Sequence, residues 1–192
     1  MAPKSSPREA LLAAVADHLL QHGLANLSLR PLASATGTSA RMLVYHFGSK
    51  ERLIAEAMLE VRSRQRKLLE KWVRRHPEAS AAELLKFAWS WIVASEHEPY
   101  LRLFLEVLGR GTRKAAHFAE FSRTTFEDWV SWIQRRLERD GRPPEAAKAS
   151  AILTVSAVRG LALYYLATKD KRGARLALRA FIQLPTATRR AR

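Results

Sequence analysis

Arg41, Met42, Val44, Tyr45 and His46 stand together in a stretch that also holds Leu43 and Phe47. These residue types at this spacing suit the reading of a nucleic acid. Leu43 and Phe47 are four residues apart, so on a helix they share one face and can be buried. The other five fan over the surface that is left. An arginine fork matches the two acceptors of guanine in the major groove, so Arg41, with Met42 and Tyr45, is expected at base edges. Tyr45 has phosphate as its alternative partner. Ser28, Arg30, His46 and Lys50 are expected on the phosphate backbone, helped by amide donors at helix starts capped by Ser28 and Ser39.

A second set of side chains suits a small molecule. Trp91, Phe104, Phe121 and Trp129 offer aromatic walls, while His117, Ser122, Thr125 and Tyr164 offer polar anchors. Phe118, Phe121, Thr125, Trp129 and Trp132 fall at three- and four-residue spacing and form one stripe. Such a stripe also describes ordinary core packing, since aromatics bury large areas. The alternative is a ligand site enclosed between helices. Catalysis and metal binding are not indicated. His18 and His22 are four apart, at metal-ligand spacing on one helical face, but no third ligand is signalled nearby. They are read as structural histidines. His97 lies between Glu96 and Glu98, yet neighbours in sequence diverge around a helix, so no acid–base pair follows. A phosphate-binding loop, a dinucleotide glycine fingerprint and a nucleophile elbow are all missing from the sequence. No catalytic residue, metal or cofactor is expected.

The elements that must position these residues are all helical. A first helix is expected from about Pro7 to His22, with Leu11, Leu12, Val15 and Leu19 inward. Ser28 opens a second, with Leu29, Leu32 and Ala33 inward, and Thr36-Gly37-Thr38 breaks it. Ser39 caps a third that ends near Phe47. A long fourth helix starts at Ser49 and reaches Arg74 or Arg75, where Pro77 forbids extension. Further helices are expected over about 81–97, 99–108, 113–139, 144–168 and 172–183. The fold expected is all-α, with about nine helices: a three-helix head over 1–48 and a helical bundle over 49–192.

The head resembles the TetR family of bacterial one-component transcriptional repressors. The residues that carry the resemblance are Gly23, Leu27-Ser28-Leu29-Arg30-Pro31-Leu32-Ala33, Gly37-Thr38-Ser39, Leu43-Val44-Tyr45-His46-Phe47 and Ser49-Lys50-Glu51-Arg52-Leu53. It is specific over roughly residues 8–55 and architectural beyond them. The chain departs from the family pattern at Val44, where tyrosine is usual, and at His18, where an apolar residue is usual. The resemblance implies a helix-turn-helix head, a ligand site in the body, and a dimer built from the last two helices. Small residues over about 144–168 and apolar ones over about 172–183 agree with such an interface. A single short recognition helix also contacts too few base pairs to be selective alone.

Composition fits this reading. The chain has 192 residues, 47% of them hydrophobic, and no cysteine, so it can bury a core but cannot build disulfides. The amino terminus lacks an apolar run of signal-peptide length, and charged residues break the longer apolar stretches. A cytoplasmic location away from membranes is expected. The net charge is +15, with nine Lys/Arg against five Asp/Glu in residues 1–66 and 24 against 13 in the remainder. A basic chain attracts phosphate polyanions, yet most of the excess lies outside the reading stretch, where solvated helix faces explain it most simply. Arg189, Arg190 and Arg192 are read as a disordered tail rather than a site. The expected function is a homodimeric repressor that binds a pseudo-palindromic operator and is released by a small-molecule effector. A ligand-independent, basic architectural DNA binder is the alternative.

Overall fold

A computed structural model describes residues 6–23, 28–111 and 116–184. The expectation for the arginine tail, and for a helix start at Arg113, lies outside these residues. Among the described residues every regular element is helical. The helices are α1 (Pro7–His22), α2 (Leu29–Ala35), α3 (Ala40–Phe47), α4 (Lys50–Arg75), α5 (Ala81–Ile92), α6 (Glu98–Gly111), α7 (Ala116–Arg139), α8 (Pro144–Thr168) and α9 (Lys171–Gln183), with a 3-10 turn at Ser95–His97.

Two boundaries differ from expectation. The fifth helix stops at Ile92 rather than near residue 97, because Ala94 turns extended (ψ 137°) and opens the 3-10 turn. That turn folds His97 back onto the Trp91 ring, with centroids 3.9 Å apart, and sets its Nδ1 2.8 Å from the Trp91 carbonyl. The sixth helix begins at Glu98, takes Pro99 into its first turn where proline is tolerated, and continues through Gly109 to Gly111.

The chain packs as two units, Met1–Glu70 with Pro99–Phe121, and Lys71–Glu98 with Ser122–Arg192. In the first, α2 packs on both α1 and α3. Val15, Leu19, Leu32, Leu43, Phe47, Leu53, Ile54, Met58 and Val61 are all buried to within 1% of complete. Burial of each such side chain stabilises by roughly 1.5–3 kcal/mol, which fixes the short helices that have little stability of their own. Two polar clamps join α1 to α4. Arg64 bonds Asp17, Glu60 (2.9 Å) and the Ala13 carbonyl (3.3 Å). Arg8 bonds Glu56.

In the second unit α8 packs on α9. Ala147, Ala151, Val155, Ala162, Ala174, Leu178, Phe181 and Ile182 are buried. Lys169 ends α8 in the left-handed region (φ 59°), and Asp170 then caps α9 through the Gly173 amide at 2.7 Å. A Cβ at 173 would lie 2.0 Å from the capping carboxylate, so any larger residue there would push the Asp170 side chain out of its capping position. The opposite face of α8 is uncovered: Ile152, Leu153, Leu163 and Tyr164 are 42–57% exposed, in line with exposed Ala149, Ser156, Gly160 and Ala167. Leu176 of α9 is exposed as well. By length and composition alone α8 could cross a membrane, a property that the placing of charges along the chain had not suggested. Arg159, in the second half of this helix, lies over the Phe126 ring at 3.4 Å.

Candidate DNA-binding surface

The reading surface is built by a turn, a cap and a buried edge. At the end of α2 the Thr38 amide donates to the Ala33 carbonyl (2.9 Å) and the Gly37 amide to the Ser34 carbonyl (3.3 Å). This paired reverse pattern closes a helix around a left-handed residue, and Gly37 supplies it with φ 65°. The Thr36 hydroxyl also donates to the Leu32 carbonyl at 2.8 Å. The chain can then re-enter a helix almost at once. Ser39 accepts the Met42 amide at 3.2 Å and caps α3.

Within α3, Leu43 and Phe47 are each 1% exposed, as their spacing requires. At 100° per residue the opposite face falls on Arg41 and Tyr45, flanked by Met42 and Val44. All four are exposed, Tyr45 to 78%. His46 is half-buried, edge-on to Tyr45 with centroids 5.2 Å apart. Ser49 then caps α4 by accepting the Arg52 amide at 3.1 Å, and Lys50 is the first residue of that helix. Ser28 holds the cap position of α2 but its hydroxyl makes no capping bond, which leaves the exposed side chain available; Arg30 is exposed too. Ser28, Arg30, Ser39, Arg41, Met42, Val44, Tyr45, His46 and Lys50 thus lie on or beside one helix-turn-helix.

One residue of this region was not signalled by sequence. Arg8 of α1 donates from Nε to the His46 carbonyl at 3.3 Å, pairs with Glu56 of α4, and lays its guanidinium over the Phe47 ring at 4.7 Å. Its partners are 38 to 48 positions away, and no local pattern announces them.

The residues expected around a ligand separate into two groups. In the first unit Phe104 meets the buried Phe121 edge-on at 6.1 Å, and His117 is exposed. In the second unit Thr125 is fully buried and Trp129 packs edge-on against Trp132 at 5.8 Å. Ser122 Oγ is enclosed, with no hydrogen-bond partner among the described residues. Trp91 is taken up by its stack on His97. Tyr164 is exposed and donates to Asp170 at 2.9 Å, which raises the phenol pKa and lowers the carboxyl pKa, the latter mainly through the Gly173 amide. Tyr164 therefore braces the start of α9 at the surface rather than facing an interior. Among the described residues no group of His, Asp and Glu is arranged to hold a metal.

Residues 11–57 match the family described as bacterial regulatory proteins, tetR family. The whole chain is similar in fold to solved structures of that kind. A TetR-family regulator from Cytophaga hutchinsonii aligns at 16% identity, TM-score 0.76, covering 96% of each chain. A TetR regulator from Legionella pneumophila aligns at 20% identity, TM-score 0.72, covering 94% of this chain and 97% of that one. The multidrug binding protein EbrR, solved with imidazole, aligns at 21% identity, TM-score 0.63, covering 95% and 98%. No curated protein sequence matches the chain. The turn, cap and outward face of α3 all lie inside the matched segment, so the head carries the helix-turn-helix module of the tetR family of bacterial regulatory proteins, and the chain as a whole shares the fold of solved regulators of that kind.

Proposed function

We propose that the protein is a cytoplasmic repressor that binds a pseudo-palindromic operator as a homodimer and leaves it when a small molecule binds. The observation that supports it most is the outward face of α3, where Arg41 and Tyr45 stand exposed opposite a fully buried edge. In this reading Arg41, Met42 and Tyr45 meet base edges, with Val44 beside them. Ser28, Arg30, His46 and Lys50, with the capped start at Ser39, grip phosphate. Residues 1–48 act as the reading head and 49–192 as the part that senses and dimerises.

The uncovered apolar face of α8, continued by Leu176 on α9, supports pairing through the last two helices. A face of this kind costs free energy in water, and a second copy relieves it. Two heads then address half-sites about one helical turn, ~34 Å, apart or a multiple of that. For the effector, the enclosed and unpartnered Ser122 hydroxyl is the supporting observation. It shares one side of α7 with buried Thr125 and with Trp129, at offsets of three and seven residues. That side suits an apolar molecule with one hydrogen-bonding group. EbrR, of like fold, is a multidrug binding protein, which agrees with an effector of this type. Its action would be a population shift, since a ligand releases DNA only by binding the non-binding arrangement more tightly.

Selection from random duplexes tests the reading. An enriched inverted repeat is expected, and a thermal-shift screen of apolar small molecules should find binders that release it. Enrichment of no sequence would instead support an architectural, ligand-independent binder.

A further inference from the structure

We propose that Arg8 is a positioning residue for the recognition helix, a role that rests on the assignment of α3 as the DNA-reading element. Three helices meet at its guanidinium. From α1 it donates through Nε to the carbonyl of His46 in the last turn of α3, at 3.3 Å. Through Nη2 it pairs with Glu56 of α4. Its flat face covers the ring of Phe47, the last residue of α3, at 4.7 Å.

Each contact has a physical reason. The last carbonyls of a helix have no partner inside it and carry the negative end of its dipole, so a cation there is favoured. Only arginine can donate from two nitrogens to two separate acceptors and stack by its face at the same time. Glu56 is itself fixed, because it also accepts Arg52 Nε at 3.0 Å from one turn earlier on α4. The start of α3 is held to α2 by the Gly37 turn and the Ser39 cap. Arg8 anchors the other end.

Arg8 commits Nε, Nη2 and one face to protein groups, and the salt slope of binding separates this role from a phosphate contact. An α-helix of eight residues is only ~12 Å long, so a small tilt at its end displaces Tyr45 and Arg41 relative to a groove. Loss of Arg8 should therefore damage selectivity while leaving general attraction to DNA intact.

The test uses full-length Arg8→Lys and Arg8→Ala proteins. Lysine keeps the charge but cannot span the Glu56 carboxylate and the His46 carbonyl together. Three quantities are measured: affinity for the selected repeat, affinity for a random-sequence duplex, and amide exchange of α3 in the free protein alongside its melting temperature. For Arg8→Lys a loss of about tenfold is expected on the repeat, as for a charge-assisted hydrogen bond lost. Random-duplex affinity and salt slope should stay as in the wild type, and the last α3 amides should exchange several-fold faster than they do in the wild type.

Equal losses on both duplexes with a shallower salt slope would make Arg8 a phosphate ligand and overturn the proposal. So would unchanged affinity, or α3 amides that exchange no faster than before. If Arg8→Ala fails to fold, Arg8→Lys decides. If the wild type selects no sequence, the DNA reading fails by itself, and the exchange measurement on free protein still decides whether Arg8 fixes α3.

Discussion

Basic side chains of the same helix-turn-helix region should answer differently to the same substitution. Arg41 is exposed on the outward face of α3, where its fork can reach a guanine. Arg41→Ala should cost ~1–3 kcal/mol on the selected repeat and relax preference at one position in each half-site. An unchanged sequence logo by footprinting would remove Arg41 from the base-reading set. Lys50, at the first turn of α4, should behave otherwise: alanine there weakens binding to every duplex alike and lowers the salt slope by roughly one unit per head. Titration of affinity against salt checks it. His18 carries a pH dependence. Its pKa is held below 6.5 by burial and then by the nearby His22 ring, 4.5 Å away, so the folded state favours neutral imidazole. The unfolded chain takes up that proton more readily, so the full stability is present above pH 6.5 and is lost as pH falls towards the lower folded value. His18→Leu should flatten this loss in melting curves recorded on either side of pH 6.5. Sequence showed which residues of α3 are buried and which exposed, because the periodicity of an eight-residue helix leaves little choice. It could not show Arg8, whose partners meet only in three dimensions, nor that Ser28 would occupy a cap position without making the bond.

Helix boundaries followed the strength of their local signals. Gly37, Ser39 and Ser49 act as their types predict, since turn and cap chemistry is decided within five residues. The sequences Ser6-Pro7-Arg8-Glu9 and Ser80-Ala81-Ala82-Glu83 also carry the capping-box pattern, and both boxes form. The end of α5 was not legible. Neither proline nor glycine marks residue 93, and the break is stabilised by the stack of His97 on Trp91, which no window of sequence displays. The start of α9 offers a prediction at this scale. Asp170 accepts the Gly173 amide and the Tyr164 hydroxyl, so its carboxyl pKa lies below 3.8. A depressed carboxyl contributes stability above its unfolded value and loses it in acid. Asp170→Ala should lower the melting temperature at neutral pH, and the gap from wild type should close as pH falls below 3.8. A gap that persists in acid would assign the effect to something other than the ionised cap.

At the scale of the molecule, the all-helical architecture was legible because long amphipathic stretches, prolines and glycines alternate regularly. The division into packing units was not. Helices α4, α6 and α7 each run from one unit into the other, and a continuous helix gives no compositional sign where its neighbours change. Nor does the sequence of α8, apolar or small on most sides, distinguish the residues that fold inward from those that face outward. The small residues of α8 were read as an interface by their composition, and the structure leaves Ile152, Leu153 and Leu163 in solvent. On the proposed pairing through this face, Leu163→Glu should shift the protein towards monomer in sedimentation, with its helical signal retained. That uncovered face also has a genetic consequence. If subunits pair through α8 and α9, as proposed, they assort without regard to the state of their heads. A chain with Arg41→Ala, co-produced in excess with the wild type, would then capture it in mixed pairs with one competent head each. The defect should be dominant in a reporter strain, and adding Leu163→Glu to the same chain should make it recessive.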